Sequence, residues 1–330
     1  MKYTTLKRAD LDVSVIALGC WQFAGGEMWG EQDDKDSIAT VHAALDAGIT
    51  LFDTAEGYGA GKSEEVLGRA LEDRRDRAII ATKASGPTFV PDEMVAACEK
   101  SLKRLRTDYI DIYQLHWPRE GQVEAEEIFT GVERLLSSGK IRHFGVCNFG
   151  MGDLENLLSA GSIVSNQVSY SLLWRGIEVE LVPTCKAEGI GILTYSSLVH
   201  GLLSGRYTDL SAFPDSRART LHFSSERPGI RHGQPGQEDL TSCALARIGA
   251  LCSEAGVSMV EAAYGWIAAQ PGVTSVLAGA RTPSQATENA AIADLGLPPD
   301  FLEGLSEATA ELKDAFGAHL DMWQMPGRIH

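Results

Sequence analysis

Four ionisable residues sit where this chain could carry out proton transfer. Asp53 closes the apolar run Leu51-Phe52-Asp53-Thr54-Ala55, and Tyr58 follows five residues later. Lys83 closes Ile80-Ala81-Thr82-Lys83, and His116 stands in Tyr113-Gln114-Leu115-His116-Trp117. A free tyrosine has a pKa of about 10. A neighbouring cation favours phenolate and lowers that value. Lys83 can be that cation, with Asp53 as the anion that holds it. The phenol, brought nearer neutrality, would then protonate a developing alkoxide as a general acid. His116 would hydrogen-bond and orient the substrate oxygen. This chemistry needs no metal, and no activated nucleophile is evident.

Singly, each residue also has a plainer reading. Asp53 could cap a helix, and Tyr58, between Gly57 and Gly59, could be an exposed loop aromatic. Lys83 could extend its ammonium to the surface, and His116 could be an ordinary rim histidine. The joint arrangement favours chemistry, because a lysine leaving an apolar strand needs an anion nearby.

Delivering such residues to one place requires strands that end side by side. The chain alternates β-branched runs with amphipathic stretches, the pattern of a parallel α/β fold. Residues 2–6 and 11–13 read as a hairpin. Eight strands are then predicted at 15–19, 50–53, 78–83, 109–116, 141–148, 164–170, 189–195 and 275–279. Helices are predicted at 36–47, 63–72, 91–104, 124–138, 153–159 and 178–187. Gly48, Gly139 and Gly189 stand where a helix end wants a left-handed residue. The seventh connection is long: loop over 201–239, then helices at 242–255 and 260–270. One extra C-terminal helix is expected at 301–316. The expectation is therefore a (β/α)₈ TIM barrel over residues 1–330, a single domain with an N-terminal β-hairpin. Such barrels place reactive groups at strand C-termini.

Composition narrows the function classes. The formal net charge is −16, which repels nucleic acid unless one face is strongly basic. The one markedly basic stretch, 217–232, is short. No apolar run reaches the roughly 18 residues of a membrane span. Residues 1–12 carry charge and lack a signal-peptide core, so a cytoplasmic protein is expected. The six cysteines are scattered, without a C-x-x-C pair or zinc spacing, so reduced thiols and no bound metal are expected.

The segment from Leu51 to Gly59, with Gly145-Val146-Cys147-Asn148-Phe149, Asn166-Gln167-Val168 and Ala278-Gly279-Ala280-Arg281, resembles the aldo-keto reductase superfamily. The likeness is to its bacterial branch, similar to potassium-channel β subunits, and runs over residues 13–289. It implies a catalytic tetrad of Asp53, Tyr58, Lys83 and His116 and a nicotinamide cofactor, NADP(H), with NAD(H) as the alternative. It implies that Asn148 and Gln167 bind the nicotinamide carboxamide and that Tyr195 stacks on its ring. Ser196, Ser197, Leu198, Gly201, Leu203 and Arg206 would line the pyrophosphate groove. Gly279, Arg281, Gln285, Glu288 and Asn289 would hold the adenosine end. Cys20, Trp21 and Asp53 would lie near the nicotinamide riboside. Two residues depart from the family pattern. Cys147 replaces the usual serine, and Gly279 stands where many members carry a phosphate-binding lysine.

Trp21, Trp29, Phe89 and Trp117, with Tyr58 and His116, are candidates for a pocket taking a small carbonyl or sugar-like substrate. No protein partner is evident. Gly61-Lys62-Ser63 resembles the end of a phosphate-binding P-loop, but Glu56 stands where the pattern needs glycine. It reads better as a helix start capped by Ser63. No G-x-G-x-x-G follows the first strand, so a Rossmann site is not expected. Besides a reductase, a cofactor-holding binding partner or redox sensor fits the resemblance. A triphosphatase using Gly61-Lys62-Ser63 is a third reading.

Overall fold

Short runs of β-branched and apolar residues form ten strands among the described residues of the computed structural model, which are 1–86, 89–120, 122–207, 209–230, 232–324 and 328. Tyr3–Leu6 (β1) and Leu11–Ser14 (β2) pair antiparallel, from Tyr3 opposite Ser14 to Leu6 opposite Leu11. The other eight are parallel: Ile16–Gly19 (β3), Leu51–Asp53 (β4), Ile79–Ala84 (β5), Ile110–Leu115 (β6), Ile141–Cys147 (β7), Ser165–Ser169 (β8), Gly191–Tyr195 (β9) and Val273–Gly279 (β10). They close in sequence order, with β10 pairing both β9 and β3. Each strand lies within two residues of its expected bounds. Helices on the outside complete a (β/α)₈ barrel, as the alternating pattern predicts.

The side-chain period of a strand is two residues, and this sorts the barrel interior into layers. Ala17, Leu51, Ala81, Ile112, Leu193 and Leu277 form an apolar lower layer, which the hairpin's Leu6 and Val13 plug from below. Two residues further along the same strands come Asp53, Lys83 and Gln114. Register aligns Asp53 with Ala81, Lys83 with Gln114, and Cys147 with Gln167. A polar layer therefore lies directly on an apolar one, at the strand ends. Alternate residues such as Leu18, Phe52, Ile80 and Tyr113 face outward into the larger core beneath the helices.

Two local expectations are corrected. The helix Lys62–Leu71 is capped by Gly61, at φ 95°, and not by Ser63. Ser63 lies within the helix, donating to the Cys20 carbonyl at 2.7 Å and accepting from Thr54 Oγ1 at 2.9 Å. Glycine is required at position 61, because a Cβ there would also lie 2.4 Å from Arg104 Cδ. Lys62 is spent on an ion pair with Asp34 at 2.7 Å, which removes the cation a phosphate loop would need. The expected C-terminal helix is two helices, Pro299–Ala308 and Ala310–Phe316. Thr309 breaks them at φ −115°, ψ 6°. Arg175 Nη1 holds the break by donating to the Ser306 carbonyl at 2.8 Å and to Thr309 Oγ1 at 3.0 Å.

The long connection after β9 is irregular up to the helix Glu238–Ala255, as expected, with Thr208 and Arg231 outside the described residues. The following helix, Met259–Ala268, opens on a capping box of Ser258 and Glu261. No single helix among the described residues is long and apolar enough to cross a membrane.

The connection is fixed partly by His222, fully buried, whose Nε2 donates to the Leu173 carbonyl at 2.9 Å while Nδ1 accepts from Thr220 Oγ1. Burial holds this imidazole at about 4, below its usual 6.5. Between those values the unfolded chain binds the proton and the folded chain does not, so stability falls as pH drops through that window and is complete above it. At about 1.4 kcal/mol per pKa unit, this is about 3 kcal/mol. Urea midpoints at pH 7 and pH 4.5 should therefore differ less in His222→Gln than in the parent. An equal fall in both would show that His222 titrates normally.

Candidate active site

The polar layer at the strand ends is a chain of charge-assisted hydrogen bonds. Lys83 Nζ, from β5, donates to Asp53 Oδ1 at 2.5 Å and to the Thr54 carbonyl at 2.8 Å. Its third contact is Tyr58 Oη at 3.4 Å. Lys83 is fully buried and Asp53 is 3% exposed, so neither charge is tolerable without the other. The second carboxylate oxygen of Asp53 accepts from Gln167 Nε2 at 2.6 Å and Gln114 Nε2 at 3.4 Å. Cys147 Sγ donates to Gln114 Oε1 at 3.5 Å, extending the network to β7. Tyr58 reaches Lys83 from the loop after β4, whose tight turn uses Gly59 at φ 61°. His116, just past β6, has Nδ1 at 3.1 Å from Ser85 Oγ. With that hydroxyl donating, the ring proton sits on Nε2.

Electrostatics at this site differ from the sequence expectation in one respect. The Tyr58 phenol is raised to about 12 rather than lowered. Burial is the largest cause; Lys83 pulls downward without overcoming it. Tyr58 keeps part of its surface at the barrel mouth, while its hydroxyl is enclosed beside Lys83, so phenolate loses solvation there. Burial lowers Lys83, but the Asp53 carboxylate, first among the groups that raise it, outweighs burial and holds the ammonium charged. His116 is pushed well below its usual value by burial, then by Lys83, Arg328 and Arg119. At neutral pH the site thus holds a neutral phenol, a neutral imidazole and one buried ion pair.

A closed ring of six aromatic contacts surrounds the mouth. Trp21 stacks on Tyr58 at 5.6 Å between centroids, Tyr58 meets His116 at 5.8 Å, and His116 stacks on Trp117 at 6.5 Å. Trp117 meets Trp323 at 6.1 Å, Trp323 stacks on His200 at 5.9 Å, and His200 meets Trp21 at 6.4 Å. Tyr195 stacks on Trp323, 6.0 Å away and 7° from parallel. A cavity of about 320 Å³ lies on one side of Tyr58, walled by Trp21, His116, Trp117, Asn148, Tyr195 and Trp323.

On the other side a cleft runs from Asp53 and Gln167 past Tyr195, Ser196, Ser197, Leu198 and Gly201 to Gly279, Arg281 and Gln285. Cys20, Trp21 and Trp29 also line it. Four buried polar atoms along the cleft have no hydrogen-bond partner among the described residues: Gln22 Oε1, Trp29 Nε1, Ser197 Oγ and His200 Nε2. Unmet donors and acceptors on one lining are what a polar ligand would satisfy. Gly279 also fits, because a Cβ there would meet Gln22 Nε2 at 2.0 Å. Gln22 occupies the space a lysine side chain would need.

Other sequence-derived positions are corrected by the structure. Phe89 packs in the hydrophobic core, 2% exposed, and not in the pocket. Trp29 lines the cleft, not the pocket beside His116. Leu203 is core, and Arg206 is exposed and off the cleft lining. Glu288 is exposed and accepts from Ser284 Oγ at 2.6 Å. Asn289 donates to the Gly279 carbonyl at 3.1 Å, bracing the cleft from behind. Asn148 lines the pocket, but its amide is engaged at both ends, donating to the His116 carbonyl at 3.0 Å and accepting from Tyr195 Oη at 2.6 Å.

Sequence reading missed Gln22, His200, Arg217 and Tyr264 in the cleft and Met28, Arg219 and Arg328 in the pocket, where Trp323, one of the loop aromatics that could wall a substrate pocket, also lies. The basic stretch at 217–232 was a signal, since Arg217 and Arg219 open it. Arg328 carries no local pattern, because only the return of the C-terminal segment brings it to the mouth.

Residues 15–310 match the Aldo/keto reductase family, and the chain belongs to it. Aldo-keto reductase YhdN of Bacillus subtilis (strain 168) is 37% identical over 295 residues, covering 86% of each chain. The NADH-specific methylglyoxal reductase of Escherichia coli (strain K12) is 31% identical over 324 residues, covering 90% of this chain and 95% of its own. The crystal structure of an aldo-keto reductase from Klebsiella pneumoniae in complex with NADPH superimposes with a TM-score of 0.72 at 27% identity, over 100% of this chain and 99% of that one.

Proposed function

We propose that the protein catalyses reversible hydride transfer between NADP(H) and the carbonyl carbon of an aldehyde, ketone or sugar-like compound, with Tyr58 as general acid and base. The observation that carries this reading is Lys83 Nζ, bonded at once to buried Asp53 and to the Tyr58 hydroxyl. When bound, the nicotinamide supplies the hydride. Tyr58 gives its hydroxyl proton to the carbonyl oxygen during reduction and takes it back in the reverse direction. Lys83 stabilises the phenolate left behind, and Asp53 keeps Lys83 in place. His116, neutral and with its proton on Nε2, donates to the same oxygen. The aromatic ring excludes water, so these interactions act in a low dielectric.

The cleft residues, with Asn148 from the adjoining pocket, would hold the cofactor: Gln167 and Asn148 near the nicotinamide, Ser196 to Leu198 and Arg217 along the pyrophosphate, and Arg281 and Gln285 at the adenosine end. Residues 1–330 would act as one domain. Spectrophotometric NADPH loss over a panel of carbonyl compounds, with NADH in parallel, tests the activity. Steady turnover is expected. Tight cofactor retention without turnover would instead favour a binding or sensing protein.

Cofactor choice turns on Arg281. Its Nε donates to Gln32 Oε1 at 2.8 Å, and its Nη2 donates to the Glu31 carbonyl. Gln32 Nε2 returns a bond to the Arg281 carbonyl at 3.1 Å. The guanidinium is thus held at the cleft wall, in a chain whose net charge of −16 opposes a 2′-phosphate. Arg281→Ala is expected to weaken NADPH binding more than NADH binding in fluorescence-quenching titrations. Equal losses, or tighter NADH in the parent, would overturn the NADP(H) preference.

A further inference from the structure

The pocket beside Tyr58 and His116 has a charge pattern opposite to that of the whole chain. Its lining includes Arg219 and Arg328 and, among the described residues, no carboxylate. Arg219 has no ion pair among the described residues, and its Nε is buried without a hydrogen-bond partner. Arg328 is anchored at two points: Nη1 pairs with Asp321 Oδ2 at 2.9 Å, and its guanidinium carbon lies 3.3 Å from the Trp117 ring centroid. Arg119 lies close enough to feel Arg328, whose charge adds to burial in lowering its basicity. Two guanidinium groups, Arg219 and Arg328, thus line one pocket, with Arg119 near enough to Arg328 to feel its charge. An enclosed donor left without a partner costs more than a satisfied one, and like charges held together raise that cost. A negative ligand group placed between them would remove both penalties.

We propose that this pocket selects carbonyl substrates that carry an anionic group, a carboxylate or a phosphate monoester, with Arg219 and Arg328 as its donors. The inference rests on the reductase reading above and specifies its substrate class. The carbonyl end lies at Tyr58 and His116 and gains one hydride and one proton to become the alcohol. The anionic end is chemically unchanged. Guanidinium forks suit both anions, since each presents paired oxygens. Arg119 adds attraction at longer range, which matters on a protein whose net charge repels anions.

The test compares matched pairs with the whole protein and NADPH: 4-carboxybenzaldehyde against benzaldehyde, and glyceraldehyde 3-phosphate against glyceraldehyde. kcat/KM is expected to favour the anion about tenfold or more in at least one pair, in keeping with a charge-assisted pair. The favoured pair assigns the anion. The preference should shrink with added salt and collapse toward unity in Arg219→Gln, mainly through KM. Equal or reversed preference in both pairs would overturn the proposal, as would an unchanged preference in Arg219→Gln. Tryptophan fluorescence separates this from failure of the reductase reading. Benzoate, but not benzyl alcohol, should quench in the parent and lose affinity in Arg219→Gln. Quenching without reduction of any aldehyde would keep the anion site and overturn the reductase reading; reduction with no anion preference would do the reverse.

Discussion

Tyr58→Phe is expected to lower carbonyl reduction by about 10²–10⁴-fold, the usual contribution of a general acid–base group, with cofactor affinity almost unchanged. The substitution removes one hydroxyl and keeps the ring that stacks on Trp21 at 5.6 Å. The packing of the mouth should therefore survive, and the loss should fall on kcat. The pH profile of the parent adds a second check. A phenol raised to about 12 by burial stays protonated through the neutral range. His116, pushed far below its usual value, does not change charge there either. Reduction should thus show no decline between about pH 6.5 and 9 attributable to either group, given their ordinary values near 6.5 and 10. Activity of Tyr58→Phe within a factor of a few of the parent would sink the assignment of the proton donor.

Lys83→Met should have the second large effect, and it acts in two ways. It removes the cation that favours phenolate, so burial and Asp53 push Tyr58 further upward. Alcohol oxidation needs the phenolate, so its rise with pH should move to higher pH. It also strands Asp53, 3% exposed, with only amide partners. Breaking a buried ion pair typically costs about 3–5 kcal/mol. The double variant Lys83→Met/Asp53→Asn removes the stranded charge and should recover much of that stability without recovering activity. Denaturant midpoints and rate profiles on both variants separate the roles. An unchanged oxidation profile in the single variant would mean that Lys83 serves the fold alone.

The two effects differ in how far they could be read from sequence. Asp53, Lys83 and His116 are visible because each ends a strand, and barrel strands end on one face. Their meeting was an inference until register was known; Lys83 lies opposite Gln114, and Asp53 opposite Ala81. The direction of the Tyr58 shift was not visible at all. Sequence shows a cation available to lower the phenol, but the cost of enclosing a phenolate depends on how many groups close around it, here Trp21, His116 and Lys83.

What the sequence alone determined was the architecture and which ionisable side chains stand at the strand ends. Period-two strands, helical stretches between them and glycines at helix ends are local signals, since each depends on backbone preference within a few residues. The closed barrel follows from eight such units in series. Tertiary structure decided everything that depends on approach between distant segments. Phe89 has the composition of a pocket aromatic but turns into the core. The expected helix at 301–316 breaks at Thr309 because Arg175, far away in the chain, holds the Ser306 carbonyl. Trp323 and Arg328 reach the mouth only because the C-terminal segment folds back over it. Local propensity is a property of neighbours in the chain. Burial, charge and the shape of the site are properties of neighbours in space, and only the folded chain brings those together.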